Sequence, residues 1–303
     1  MRSTVPPVSA VAAPGAGWGV RRAEGLMFPH AATLARDPAY AKDLAVYLTD
    51  LLRPYGLELD HTALGRGGQS YKEMAEALID RVVPDDEQID LLVLAYAIPD
   101  IIPARSTCVY LSGVCPGTPL AFAVSDQGTA APFTALRLIR QYAGLGDLRR
   151  ALLIVLEQAW LPYHPETPAA LPAGHSGVAV LFGDADPDRS EFPARLGSVA
   201  THTPAAIEAL PAAISALTDG APRSAAIIGP LLAEHVIESM GALEVRHCPA
   251  GRPYTGVWWE LAGELSRPHA EPRRLVLADY EPESRTLGLA TIDVRIHAHE
   301  ESP

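Results

Sequence analysis

The sequence predicts an α/β fold built on a mostly parallel sheet with helices on both faces. Two apolar runs of strand length, 89–97 and 151–157, are typical of strands buried on both sides. Helical patterns separate the predicted strands, as the crossover connections of parallel strands require. Strand–helix–strand units occur on both sides of a proline-rich break at 162–172. We therefore expect two similar halves, 1–166 and 167–303, in one compact unit.

The predicted elements of the first half follow from apolar periodicity. Its strands are short aliphatic runs at 8–13, 89–97, 120–125 and 151–157. Its helices have one apolar face and cover 38–56, 70–83, 105–112 and 129–143. Ser70 and Glu73 are spaced as a capping box at the start of a helix. The glycine-rich stretch 65–69 lacks the spacing of a phosphate loop, which indicates a flexible turn.

The second half repeats this alternation. Its predicted strands cover 176–183, 224–228, 243–247, 274–279 and 287–295. Its predicted helices cover 205–218 and 230–240, and 251–265 indicates a turn followed by a buried helix. We expect 224–228 and 274–295 to lie in a second sheet similar to the first.

Charge and composition exclude several classes of function. The chain has 303 residues, 20% charged residues and a formal net charge of −12, with no basic run. Nucleic acid and anionic membrane surfaces are therefore poor partners. No apolar run reaches the roughly 18 residues of a membrane span, and the N-terminus lacks the continuous apolar segment of a signal peptide. We expect a cytoplasmic protein.

The cysteines and histidines do not form a recognisable metal or disulfide pattern. Cys108, Cys115 and Cys248 are odd in number and irregular in spacing, which indicates three reduced thiols. His297 and His299 stand near the tail without a third ligand nearby. We expect no metal and no cofactor.

A series of segments in a fixed order carries a family resemblance. These are 89–100, 120–124, 135–155, 174–184, 225–230, 251–261 and 274–294. From about residue 86 onward the chain resembles the thiolase fold, and within it the β-ketoacyl-acyl-carrier-protein synthase III branch. The resemblance implies two duplicated β-α-β halves in five layers, α-β-α-β-α. It also implies chemistry on acyl thioesters carried by an acyl-carrier protein or by CoA.

In that family a cysteine at a helix N-terminus takes the acyl group, and a histidine and an asparagine assist. Here the cysteine position falls on Gly128 when counted from Phe122, or on Thr129 when counted from the helix that follows. The histidine position falls on Gly229, and Arg252 replaces the asparagine. A conventional condensing activity is therefore not expected, since glycine has no side chain and arginine stays protonated.

One hypothesis is a non-condensing subunit that pairs with a competent homologue and shapes its acyl pocket. The resemblance offers two precedents, a quinolone-forming heterodimer and the chain-length factors of polyketide synthases. Chain-length factors carry a glutamine at the nucleophile position, and Gln127 lies one or two places before it here. The family is usually dimeric, as a heterodimer or a homodimer. We expect the paired strand to be 151–157.

The alternative is an active acyltransferase or cyclase with a different site. Ser125 or Thr129 would be an oxygen nucleophile at the strand-to-helix turn, and His175 a base that reaches toward it. Serine and threonine are also common as helix N-caps, so Thr129 as a cap or packing residue and His175 as a structural histidine remain open interpretations. Asp126 follows Ser125 directly, so in a strand the two side chains would point to opposite faces.

Overall fold

The structure of this chain is a computed structural model. It describes residues 18–103, 105–145, 148–165, 170–183, 194–203, 205, 207–221, 223–236 and 243–295. The strand predicted at 8–13, the predicted helix end at 237–240, and His297 and His299 lie outside these ranges.

The described residues form ten strands and eight α-helices. The strands are β1 (Gly19–Met27), β2 (Leu91–Tyr96), β3 (Leu120–Val124), β4 (Arg150–Glu157), β5 (Ser176–Gly183), β6 (Ala194–His202), β7 (Ser224–Ile228), β8 (Glu244–His247), β9 (Arg273–Glu281) and β10 (Thr286–Val294). The helices are α1 (Pro38–Leu52), α2 (His61–Arg66), α3 (Tyr71–Val82), α4 (Thr107–Val114), α5 (Ala131–Gly144), α6 (Leu210–Thr218), α7 (Pro230–Val236) and α8 (Gly256–Leu265).

The order of the strands repeats, which reveals a duplicated unit. The sheet runs β3-β2-β4-β5-β1-β6-β10-β9-β7-β8, so its second five strands mirror the first five. In each copy three strands are parallel and one strand, β5 or β10, is antiparallel to both of its neighbours. The second, similar sheet expected from the sequence is the second five-strand copy. It is continuous with the first copy, because β1 pairs with β6 through Gly19–Arg195 and Val20–Ala194.

The two halves of the sheet are two layers, and the helices outside and between them complete five. α3 and α4 pack on the outer face of the first half, where they bury Met74, Leu78 and Leu111. α6 packs on the outer face of the second half through Leu210 and Ile214. Between the halves, α5 and α8 contact strands of both copies and form the largest apolar cluster. The predicted α-β-α-β-α arrangement is confirmed.

Two predictions about strands need correction. β1 and β6 were not predicted from the sequence, because their exposed faces carry charged and polar residues that break the apolar pattern. The strand 151–157 was expected at a dimer edge, yet β4 lies between β2 and β5 and has both edges occupied. The free edges of the described sheet are instead β3 and β8.

The division at residue 166 stays a prediction. In the sheet, β5 pairs with β4 and β1 and so belongs to the first copy, whereas β6 belongs to the second. Along the chain, the boundary between the two copies therefore lies between Gly183 and Ala194.

The start of α3 differs from the predicted capping box. Ser70 occupies the N-cap position, but its hydroxyl makes no capping hydrogen bond. Glu73 accepts a hydrogen bond from the Thr33 amide instead, at 3.1 Å. The stretch predicted as a flexible turn includes the end of the short helix α2, and Gly67 follows with a positive φ of 69°.

Candidate functional site

The turn between β3 and α5 brings the predicted nucleophile positions to the carboxyl end of the first sheet copy. β3 ends at Val124, and a 3-10 turn at Gly128–Ala130 leads into α5. Asp126 and Gly128 both have positive φ, 57° and 50°, so the backbone reverses sharply here. This is a strand-turn-helix elbow of the kind predicted.

Ser125 lies beyond the end of the strand, so the expectation that its side chain and that of Asp126 point apart was wrong. The left-handed conformation of Asp126 turns its carboxylate back, and the Ser125 hydroxyl donates to it at 3.2 Å. Gln127 accepts a hydrogen bond from the Thr134 hydroxyl at 2.6 Å. Gln127 is therefore tied to the first turns of α5.

Thr129 is buried at the start of the helix, with 1% of its surface exposed. Its hydroxyl has no hydrogen-bond partner in the described part of the chain. Its backbone amide donates to the Glu281 carboxylate at 2.9 Å. A base that could activate the Thr129 hydroxyl is thus not in hydrogen-bond contact with it.

Two acidic residues of β9 occupy the space beside the altered positions. A Cβ at Gly128 would overlap the Glu281 carboxylate, and a Cβ at Gly229 would overlap the Asp279 carboxyl group. Asp279 and Glu281 are two residues apart on one strand, so they project from the same face. The positions that would carry the family's cysteine and histidine therefore face carboxyl groups instead.

Burial dominates the electrostatics of this centre. It raises the pKa of Asp279 well above the ordinary range, and the Glu281 carboxylate raises it further. One Asp279 oxygen accepts a hydrogen bond from the Tyr280 amide at 2.9 Å, which partly opposes this shift. Burial therefore favours the protonated form of Asp279 over its carboxylate. Burial, with smaller effects of Glu281 and Glu157, also raises the pKa of Tyr254 to about 12.

Cys248, next to this centre, is a poor nucleophile. Its thiol is buried, and burial together with the charges of Asp279 and Glu260 raises its pKa far above the ordinary value. Burial also raises the pKa of Cys108 and of Cys115 to about 11. All three cysteines are free, and none has the depressed pKa that a reactive thiolate needs.

Arg252, at the position of the family's asparagine, is held in a stack over β1. Its guanidinium lies 3.8 Å from the centre of the Trp259 ring and also contacts the Met27 sulfur at 3.4 Å. Trp259 packs against Gly25, where a Cβ would come within 2.6 Å of the ring. Trp258, in contrast, is buried in the core against Phe133.

His175 makes its described side-chain hydrogen bond outside the elbow. Its Nδ1 accepts a hydrogen bond from the Ala159 amide at 3.3 Å, and burial lowers its pKa. The structure describes no hydrogen bond between His175 and either Ser125 or Thr129. The three predicted site residues thus share one end of the sheet without forming a hydrogen-bonded triad.

A buried carboxylate beside His175 fixes the second central helix. Glu157, fully buried, accepts hydrogen bonds from the Ser176 and Thr255 hydroxyls, both at 2.7 Å. Its other oxygen accepts from the Tyr254 and Thr255 amides at 2.9 and 3.0 Å. Glu157 therefore ties the end of β4 to the start of β5 and to the start of α8.

Asp279, Glu281 and Glu157 were not predicted from the sequence as parts of the site. A signal was present, since 275–281 is an apolar strand interrupted by acids at alternate positions. Acids on a buried face need a specific reason. In the described ranges, no three acidic, histidine or cysteine side chains are placed to hold a metal ion. No described helix is long and apolar enough to cross a membrane.

Comparisons with known proteins identify the fold through structure rather than sequence. No protein-family model and no curated protein matches the sequence. AbyA1, described as a tetronic acid condensing enzyme, superposes with a TM-score of 0.61 at 14% identity over 91% of this chain and 99% of AbyA1. A cerulenin-bound OleA of Xanthomonas campestris gives 0.59 at 16% identity over 91% and 98%. The ten-stranded sheet and its helices match these two structures, and the chain has the thiolase fold.

Proposed function

We propose that this chain is a non-condensing, ketosynthase III-like subunit of acyl-thioester biosynthesis. It would pair with a homologue that carries the cysteine, histidine and asparagine, and shape the acyl pocket of that partner. The observation that carries this proposal is the hydrogen bond from the Thr129 amide to Glu281. The amide at the elbow is already bound to an internal carboxylate, and the side chain there is a buried hydroxyl.

The electrostatics of the elbow support a non-condensing role. Acyl transfer requires donors aimed at the oxygen that becomes negative in the transition state. Here a carboxylate takes such a donor, so a developing oxyanion nearby would be repelled. At an effective dielectric constant of about 20, two like charges about 4 Å apart repel by roughly 4 kcal/mol. A barrier raised by that amount corresponds to about three orders of magnitude in rate.

The edge strand β3 is the surface that we propose for pairing. Leu120, with 54% of its surface exposed, and Ala123 lie on this free edge. The neighbouring helix α4 adds Val109 and Val114, which are 74% and 46% exposed. A free edge with apolar neighbours favours pairing with another strand. A competent homologue is the proposed partner, and a second copy of this chain is the alternative outcome.

Co-expression with a thiolase-fold homologue that retains the catalytic set tests the pairing. We expect light scattering to show a heterodimer for the parent chain. The double variant Leu120→Lys/Ala123→Lys should give separate monomers. Leu145→Lys is the matched control, because Leu145 is also highly exposed but lies outside β3 and α4. A complex that survives the double variant contradicts pairing through β3. A homodimer that resists exchange with the homologue contradicts the partner role.

A direct assay tests the absence of condensation. The isolated chain is incubated with a malonyl carrier protein and an acyl-CoA, and carbon–carbon bond formation is measured. We expect none, because the elbow has no thiol and the Thr129 amide is already bound to Glu281. Condensation by the pure chain, lost on substitution of one of its cysteines, would refute the proposal.

A second candidate function is acyl transfer or cyclisation from an oxygen nucleophile. It is favoured by one observation, the hydrogen bond from Ser125 to the Asp126 carboxylate, which could accept the hydroxyl proton. A thioester substrate should then leave an acyl adduct detectable by intact mass. Ser125→Ala would remove the adduct, whereas Thr129→Ala would keep it. Persistence of the adduct in Ser125→Ala would exclude Ser125 as the nucleophile.

A further inference from the structure

Glu281 is a partly accessible carboxylate at the elbow, where the family that the sequence resembles has its thiol. Glu281 and Gly128, which it contacts, are both half-buried. One carboxylate oxygen accepts from the Thr129 amide at 2.9 Å, and the other accepts from the Glu283 amide at 3.3 Å. These two backbone donors hold the carboxylate in one orientation. Each oxygen keeps a second lone pair, so the carboxylate can still accept a proton.

A tyrosine hydroxyl close to this carboxylate is free to donate. Tyr254 lies two residues before α8, and Glu157 holds its amide at 2.9 Å. Tyr254 is 7% exposed, and its hydroxyl is neither fully enclosed nor hydrogen-bonded to another residue that the structure describes. Burial is the main cause of the raised pKa of Tyr254, and the charge of Glu281 is the next, so the two side chains are near neighbours.

Asp279 places a second carboxyl group on the same face of β9 as Glu281, two residues before it. It is 2% exposed, and burial together with the charge of Glu281 raises its pKa well above the ordinary range. Its protonated form is therefore favoured. The elbow thus combines an ionised carboxylate, a neutral carboxyl group and a tyrosine hydroxyl. Two carboxyl groups whose surroundings favour opposite protonation states are typical of acid–base chemistry.

We propose that the altered elbow is a proton-transfer site, in which Glu281 removes an α-proton from an acyl thioester and the Tyr254 hydroxyl binds the enolate oxygen. A carboxylate base beside a tyrosine hydroxyl and a neutral carboxyl group is an arrangement that stabilises an enolate. Asp279 does not touch the substrate, and its neutral form leaves Glu281 as the ionised acid of the pair. The proposal shares only the acyl-thioester substrate class with the proposed function and does not rest on pairing.

The step conserves atoms and electrons without an added reagent. In a 3-enoyl thioester the C2–H bond breaks, the proton goes to the Glu281 carboxylate, and the electron pair forms the enolate. The Tyr254 hydroxyl donates a hydrogen bond to the enolate oxygen. Glu281 then returns the proton to C4, and the double bond moves into conjugation with the carbonyl group. Because Glu281 is neutral while the enolate exists, the repulsion that opposes acyl transfer does not act on this intermediate.

Isomerisation of 3-hexenoyl-N-acetylcysteamine by the full chain tests the proposal, since conjugation of the product raises its ultraviolet absorbance. Deuterium incorporation at C2 in heavy water, measured by mass spectrometry, detects the same proton transfer when the proton returns to C2. We expect Glu281→Gln to lower both rates by at least about a hundredfold, because it removes the base. Tyr254→Phe should lower them by about a hundredfold, because it removes the donor to the enolate oxygen.

Glu283→Gln is the matched control, because Glu283 is an exposed acid two residues after Glu281. Its rates should equal those of the parent. Tyr254→Phe removes a hydroxyl that has no described partner, so its melting temperature should stay near that of the parent. A loss of rate in this variant therefore reports lost chemistry rather than lost folding.

Two results would overturn the proposal. One is a parent chain that neither isomerises the probe nor incorporates deuterium above the protein-free rate. The other is a pair of variants, Glu281→Gln and Tyr254→Phe, that both act at the parent rate. Both variants should still pair with the competent homologue as the parent does. A chain that isomerises the probe but fails to pair would contradict the proposed function alone.

Discussion

The Glu281 carboxylate accepts a hydrogen bond from the Thr129 amide across 152 positions of sequence, at 2.9 Å. This contact joins the elbow of the first sheet copy to a strand of the second. It places the Glu281 carboxylate at the position that holds the reactive thiol in the family that the sequence resembles.

A thiol introduced at the elbow should stay protonated while Glu281 is present. In Thr129→Cys the nearby carboxylate opposes the thiolate and offsets the effect of the helix N-terminus. Adding Glu281→Gln should lower the pKa of the new thiol by about one unit or more, which is about 1.4 kcal/mol. Thiolate ultraviolet absorbance across a pH series measures this shift. The buried native thiols contribute little, because the pKa values of Cys108 and Cys115 are raised to about 11.

Glu283→Gln is the control for this experiment, because Glu283 is exposed and lies two residues after Glu281. It should leave the pKa of the new thiol unchanged. If Glu281→Gln and Glu283→Gln shifted the pKa of the new thiol equally, the close contact with Glu281 would not be the cause.

Asp279 should make the folded protein less stable as the pH rises. Its pKa is raised on folding, so the folded state holds this proton more tightly than the unfolded state. The resulting stability is fully present below the unfolded pKa, near 3.8, and is lost as pH rises toward the folded pKa. Between the two pKa values the loss is about 1.4 kcal/mol per pH unit. Asp279→Asn, which cannot ionise, should lack this loss and be more stable than the parent at neutral pH.

Urea unfolding of parent and variant between acidic and neutral pH checks this prediction. A parent and an Asp279→Asn variant with parallel pH profiles would contradict it.

Glu157 should be far more costly to replace than an exposed acid. Glu157→Ala would leave the Tyr254 and Thr255 amides without an acceptor in a buried place. It would also leave one of the Ser176 and Thr255 hydroxyls without one, since the two can make only a single bond to each other. We expect a loss of about 3 kcal/mol or more in the free energy of unfolding. The contrast is Glu271→Ala, whose ion pair with Arg223 is exposed and should contribute less than about 1 kcal/mol. Comparable losses in chemical denaturation would contradict this ranking.

Gly128→Ala should be destabilising for two separable reasons. The position has φ 50°, which costs an L-residue about 1 to 2 kcal/mol. The added Cβ would also overlap Glu281. The double variant Gly128→Ala/Glu281→Ala should therefore recover the steric part and keep the conformational part. A double-mutant cycle from unfolding free energies measures both, and additive effects would show that the overlap is not significant.

The sequence by itself determined the alternation of elements and much of the core. The runs at 176–183 and 224–228 coincide with β5 and β7, and 151–157 lies within β4. These strands are predictable because residues buried on both faces must be apolar, and that constraint is local in sequence. The elbow at Ser125–Thr129 was predictable for the same reason, since an apolar strand and an amphipathic helix flank it.

Only the tertiary structure decided how these elements meet. β1 and β6 form because they find partners in β5 and β10, although their own residues are partly polar. β4 lies inside the sheet with both edges paired, so 151–157 has no free edge for pairing with a second chain. The contacts of Asp279 and Glu281 with positions 229 and 128 depend on β9 lying beside the elbow. A hydrogen bond or a steric overlap depends on a few ångströms of separation between distant residues, and local patterns of apolar and polar residues contain no such distance.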